Sequence, residues 1–168
     1  CDANNMDINY IKLDKRQSIG AKRNIGCQVA KNDIIVFMDD DDYYYPDSVK
    51  KRVTELLRTD KDCVLCTTIG CFDINNYVSA ICSSGNINDP YYMKISIASM
   101  CFKKSLWEGN KFLDVDNNEA QQLIENNLCR ICEMSWEKNI ISLIHSKNQH
   151  NNRIKPGTES NGCHFGFS

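Results

Sequence analysis

Hydrophobic and polar positions along the chain alternate in register with two different periods, and the change of period divides it. Ile8 to Leu13 alternates apolar and polar, which predicts a strand near a sheet edge. Ser18 is a predicted N-cap for a helix running to about Lys31, with Ala21, Ile25 and Val29 sharing one face. Ile34 to Met38 is a short, wholly apolar run, as expected of a strand buried on both faces in a parallel sheet. Pro46 or Asp47 opens a second predicted helix through about Arg58, with Val49, Val53, Leu56 and Leu57 inward. This order of strand, helix, strand, helix predicts one right-handed parallel crossover followed by a further helix.

Beyond Asp62 the pattern becomes strand-rich. Cys63 to Phe72, Tyr77 to Cys82 and Ile95 to Phe102 read as strands between Asn-, Gly- and Pro-bearing turns. Asn118 is a predicted cap for a helix from Glu119 to Leu128, and Cys129 to Met134 and Ile140 to Ile144 read as short strands. From His145 onward the chain is polar, a tail or an ordered lid. The fold class expected is α/β, a mixed and mostly parallel sheet flanked by helices.

The chemistry concentrates directly after the apolar run, where Asp39 to Asp42 stand in succession. Adjacent carboxylates repel, and a divalent cation relieves the repulsion. A solvated acidic turn is the plain alternative. Placement at the carboxyl end of a buried strand, where open α/β sheets bind ligands, favours the metal. An EF-hand loop fits poorly, because its glycine is missing and Lys50 stands at its twelfth position. Lys22 and Arg23 oppose the dipole of their own helix, so they are either solvent-facing or aimed at an anion.

Length and charge narrow the classes. A chain of 168 residues is expected to form one domain. A formal net charge of −2 carries no polyanion-binding signature, which argues against nucleic acid as partner. No stretch approaches a membrane span of ~20 apolar residues. Two of the ten cysteines' spacings, Cys63/Cys66 and Cys129/Cys132, match zinc-binding pairs, but Cys63 to Phe72 reads as buried strand in which Cys acts as a small hydrophobe. With nothing marking secretion, reduced thiols in a cytosol-like compartment are expected.

Together, SIGAKRNIGCQVAKNDIIVFMDDDDYYYPDSV resembles the segment of family 2 glycosyltransferases that reads, loosely, G-x-x-x-A-R-N-x-G, a small spacer, an apolar strand, D-x-D-D, then an aromatic and a proline. The matching positions are Gly20, Arg23, Asn24, Gly26, Asp39, Asp41, Asp42 and Pro46. ASMCFKKSLWEGNKF is similar to that family's acceptor-side strand and short helix. Asn118-Glu119 stands where the family has two adjacent acids, and His145 to Asn152 resembles its late His- and Asn-rich segment.

The resemblance implies the A-type glycosyltransferase fold, with a catalytic domain over residues 1–152 and a tail or lid over 153–168. The family's usual N-terminal base-binding unit has no counterpart, so an N-terminally incomplete domain, part of a longer chain, is expected. The implied reaction moves a sugar, with inversion, from a nucleotide-diphosphate donor to a hydroxyl of a glycan, protein or lipid. The implied cofactor is Mn²⁺ or Mg²⁺, held by Asp41 with His150, and His145 in reserve. Asp39, Asp40 and Arg23 are the implied donor contacts and Glu119 the implied base, while Trp107 and Phe112 are core aromatics or, alternatively, linings of an acceptor site. A non-catalytic sugar-, nucleotide- or protein-binding module of the same fold is the alternative.

Overall fold

The structure, a computed structural model, describes residues 7–83, 85–146, 148 and 154. Helix α1 (Ile19–Val29) leads into strand β1 (Ile34–Val36), a short β2 (Tyr43–Tyr44) and helix α2 (Ser48–Arg58). Strands β3 (Cys63–Cys66), β4 (Thr68–Asp73) and β5 (Val78–Ser83) follow, then the one-turn α3 (Tyr91–Lys94) and the long β6 (Ser96–Lys103). Helix α4 (Lys104–Gly109), helix α5 (Gln121–Glu125), β7 (Ile131–Glu133) and β8 (Ile140–Ile144) complete the order.

Two mixed sheets form, β1-β6-β3-β7 and β2-β8-β4-β5. The α/β class is as expected. The parallel pairings are β3/β7 and β4/β8, and the other four ladders among the described residues are antiparallel. The predicted single strand Cys63–Phe72 is in fact two, parted at Thr67, so the chain steps from one sheet to the other without a loop. The β3/β6 register shifts just before it, between Val64 and Cys66, where Ser99 bridges the strands' backbone: its hydroxyl accepts from Cys66 N at 2.8 Å and donates to Ser96 O at 2.6 Å.

The first sheet is covered on both faces. Alternation along β3 sends Cys63 and Leu65 toward Cys27 of α1, Leu106 and Trp107 of α4, and Leu123 and Ile124 of α5. Val64 points the other way, with Cys101, onto Leu56 of α2. Cys66 belongs to the second sheet's core with Ile69, Cys71, Cys82 and Ile140. Cys63 and Cys66 therefore sit in different cores and form no zinc pair. Both are free thiols filling apolar space, as the strand pattern implied. Burial pushes the Cys27 thiol up to about 12 and the Cys101 thiol up to about 11.

Three local expectations need correction. Residues 8–13 form no strand and lie at the surface, with Ile8 83% and Tyr10 84% exposed, so their alternation has no partner strand and the predicted crossover has no first strand. In α1 the buried residues are Gly20 and Cys27, while Val29 is exposed. In α2 they are Ser48, Arg52 and Leu56, while Val49 and Leu57 face out. Both helices are rotated from the faces their apolar residues suggest. In α1 the cause is a backbone approach that only glycine permits, and in α2 it is a hydrogen-bonded arginine. Ser18 caps α1 as predicted, accepting from Ala21 N at 3.0 Å.

Of the tail, only Ile154 is described, packed against the second sheet's core. The lid expected over 153–168 otherwise lies outside the described residues. No helix among the described residues is long and apolar enough to cross a membrane.

Candidate active site

The site starts from Gly20. A Cβ there would lie 1.7 Å from Leu113 O, so the absence of a side chain lets the 113–116 loop rest on the start of α1. Gly20 N donates to Val115 O at 3.1 Å. Ser18 Oγ donates to Asp114 Oδ1 at 2.5 Å and Ile19 N to Asp116 Oδ1 at 3.0 Å, which puts two acids at the helix N-terminus, where the dipole favours them. One turn on, Asn24 clamps the preceding loop. Its Nδ2 donates to Phe112 O at 2.8 Å, and its Oδ1 accepts from Phe112 N at 3.0 Å and Trp107 Nε1 at 2.8 Å. Trp107 and Phe112 are thereby core residues, buried in the first cluster, and not an exposed acceptor lining.

These contacts bring Glu119 to Arg23. Arg23 Nε donates to Glu119 Oε1 at 3.1 Å, while Nη1 and Nη2 reach Asp39 Oδ1 and Oδ2 at 3.2 and 3.3 Å. The guanidinium also lies over the Phe37 ring, 4.7 Å from its centroid. One arginine thus ties the first aspartate of the acidic run to a carboxylate 5% exposed. Glu119 differs from expectation in one respect. Helix α5 begins at Gln121, so Glu119 precedes it, in a turn opened by Asn118 with its positive φ of 56°. Its charge is compensated by Arg23, not by a helix dipole.

The four aspartates have four different surroundings. Asp39 is held by Arg23, and its backbone N donates to Tyr44 Oη at 2.8 Å. Asp40 is exposed. Asp42 Oδ1 accepts from Leu143 N at 3.1 Å, stitching the run to β8. Asp41 Oδ2 accepts from Asn148 Nδ2 at 3.2 Å and lies 3.5 Å from His145 Nε2. Of the two candidate histidines, His145 is therefore the one seen beside Asp41, and His150 lies outside the described residues. Asn148 was not singled out by the sequence reading, and only its membership of the His- and Asn-rich segment hinted at it. Lys22 is exposed.

A carboxylate oxygen and an imidazole nitrogen converging at one edge of the run suit a Mn²⁺- or Mg²⁺-class ion. No group of three or more His, Cys, Asp or Glu able to hold a metal occurs among the described residues. A cation at Asp41 and His145 would need oxygens from water or substrate, the usual arrangement for these ions with phosphates.

Two mixed sheets flanked by helices, with an acidic run following a strand, have the architecture of a glycosyltransferase A-type fold, and likeness to known proteins bears that fold out. The family model for glycosyl transferase family 2 matches residues 1–99, more than half of the chain, and the chain belongs to that family. No curated protein matches it. Among solved structures it is similar to the crystal structure of S. aureus TarS 1–349, at 16% identity and a TM-score of 0.52 over 75% of this chain and 40% of that one. It is also similar to TarS 1–349 in complex with UDP-GlcNAc, at 16% identity and a TM-score of 0.57 over 84% of this chain and 43% of that one. At such identity the likeness shows the fold, and the chain spans about two-fifths of the TarS structures' length.

Proposed function

We propose that residues 1–152 act as the catalytic core of an inverting glycosyltransferase that moves a sugar from a nucleoside-diphosphate donor to a hydroxyl of a glycan, protein or lipid. One observation carries this reading: the aspartate run is met at Asp39 by Arg23 of α1, which also holds Glu119 of the turn before α5, and at Asp41 by His145 and Asn148 of the segment after β8. That a protein of the same fold is known in complex with UDP-GlcNAc supports a nucleotide sugar as donor class.

In the proposed reaction the acceptor oxygen forms a bond to the anomeric carbon as the bond to the diphosphate oxygen breaks. The electron pair leaves with the diphosphate, and the acceptor's proton passes to Glu119 Oε. Arg23 turns its fork from Asp39 to a diphosphate oxygen, since a guanidinium binds either anion in the same bidentate way. Asp39 and Asp40 take the ribose and diphosphate side. Asp41 and His145 would hold Mn²⁺ or Mg²⁺, whose charge offsets the negative charge growing on the leaving group.

A second reading, a non-catalytic binding module, is favoured by the buried Glu119 carboxylate being already engaged by Arg23. The test is thermal unfolding with UDP, GDP, CDP and their sugars, with and without Mn²⁺, on the native chain, Asp41→Asn and His145→Ala. A ligand bound only to the folded state adds ~2.7 kcal/mol at a hundredfold excess over Kd. We expect one nucleotide to raise the midpoint only with Mn²⁺, and both variants to lose the effect. Glu119→Gln should keep that shift yet lose donor turnover, read as nucleoside-diphosphate release. A shift without turnover in the native chain selects the binding module, and no shift from any nucleotide sinks the donor-binding reading.

A further inference from the structure

Arg52 is the largest fully buried side chain, at 0% exposure, and no carboxylate lies in ion-pair reach of it among the described residues. A buried cation without an acid is costly and is retained only where its hydrogen bonds serve something. Those bonds go to backbone next to the aspartates. Arg52 Nη1 donates to Phe37 O at 2.7 Å and to Ala98 O at 3.3 Å, and Nε reaches Ser48 O at 3.5 Å. Its Nη2 is buried with no hydrogen-bond partner among the described residues.

Phe37 is the first residue after β1, its N donates to Met100 O of β6 at 3.0 Å while its O turns to Arg52, and it stands two residues before Asp39. Ala98 O also accepts from Tyr44 Oη at 3.3 Å, and that same hydroxyl accepts from Asp39 N. The Arg52 guanidinium carbon lies 5.3 Å from the Tyr44 ring centroid. Arg52 and Tyr44 therefore form one closed unit with Phe37 O, Ala98 O and Asp39 N, and the aspartate run passes around it. Ser48, one turn before Arg52 on the buried face of α2, donates to Asn139 Oδ1 at 2.9 Å and so fixes the helix from the second sheet.

We infer that Arg52 is a positioning residue for the donor site: through Phe37 O and Tyr44 it sets the backbone from which Asp39 and Asp41 project. Lysine cannot replace it, because an ammonium has one nitrogen where the guanidinium uses two, Nη1 toward Phe37 O and Ala98 O and Nε toward Ser48 O, and no flat face to lay on the Tyr44 ring. This inference rests on the proposed function for its effect on donor binding, but not for its effect on the backbone.

The test uses Arg52→Met, which fills the same space without charge, and Arg52→Lys. Buried charges replaced by apolar side chains of similar volume often leave stability unchanged or raised. We expect Arg52→Met to keep its unfolding midpoint while amide hydrogen exchange speeds up across residues 37–44 and not in β3 or α5. Mn²⁺–nucleotide affinity should fall ~10- to 100-fold, as for other groups that orient metal ligands. Arg52→Lys should fold and show the same local loosening. Unchanged exchange at 37–44 in both variants, or an increase spread evenly over α2 and both sheets, overturns the inference. Local loosening in a protein whose native form binds no nucleotide upholds the positioning role and removes the donor reading instead.

Discussion

Arg23 and Glu119, 96 residues apart, meet through an Nε–Oε1 contact of 3.1 Å in which both side chains are largely buried. The other end of the same guanidinium holds Asp39. Removing Arg23 leaves an unpaired carboxylate in the interior, which typically costs ~3–5 kcal/mol. Glu119→Gln retains an amide oxygen to accept from Nε and should cost nearer ~1 kcal/mol. In Arg23→Met/Glu119→Gln there is no buried charge left at this contact, so the double variant should be more stable than Arg23→Met alone. Urea unfolding of the native chain, the two single variants and the double variant measures the coupling. Simple additivity would show that the pair contributes nothing as a pair.

Away from the site, Asp62 ties three segments together. Its Oδ1 lies 2.7 Å from Lys103 Nζ and its Oδ2 2.6 Å from Arg130 Nε. Hydrogen bonding to Lys103, aided by Arg130, holds the carboxyl below the ordinary aspartate range despite its partial burial. A depressed folded-state value means stability that is complete above the unfolded value, ~3.9, and is lost as pH falls through the folded one. Both basic partners are partly exposed, so the contribution is roughly 1 kcal/mol. Asp62→Asn should therefore be less stable than the native chain at pH 7, and the gap should close as pH drops below 4. A gap independent of pH would mean that the asparagine's lost packing, not charge, explains the difference.

The acidic run could be read from sequence because two signals agreed there: a short apolar stretch too uniform for a surface helix, and charges that begin where it ends. Ile34–Val36 and Asp39–Asp42 accordingly fall in the expected order, although β1 stands at the end of its sheet, partly buried and antiparallel to β6, where a doubly buried parallel strand was expected. The helix faces could not be read in the same way. Counting apolar residues in α2 selects Val49 and Leu57 along with Val53 and Leu56, and only the latter two face the core, since nothing in the sequence says that Arg52 finds two carbonyls inside. The alternation of residues 8–13 was real, but alternation reports an amphipathic segment and not the existence of a partner strand. Asn24 belonged to the matched pattern, yet its role as a clamp on Phe112 and Trp107 depends on a loop 88 residues away. His145 and Asn148 needed the fold to bring them to Asp41.

The two glycines of α1, Gly20 and Gly26, make opposite demands, although sequence alone presents them alike. At Gly20 the obstacle to a side chain is the Leu113 backbone oxygen, with Glu119 Cβ also near at 3.0 Å. Backbone cannot swing aside as a side chain can, so Gly20→Ala must push the 113–116 loop off the helix. Overpacking of this kind costs ~1–3 kcal/mol or more. The same displacement pulls Glu119 from Arg23, because Leu113 N donates to Glu119 O at 2.8 Å and the two move together. At Gly26 nothing lies within 4 Å of an added Cβ. There alanine gains helix propensity of up to ~1 kcal/mol and meets no clash. Thermal unfolding of Gly20→Ala and Gly26→Ala should move in opposite directions, down for the first and level or up for the second. Equal losses at both positions would mean that Gly26 is held by a contact outside the described residues, and that glycine in this segment answers to more than the approach of one loop.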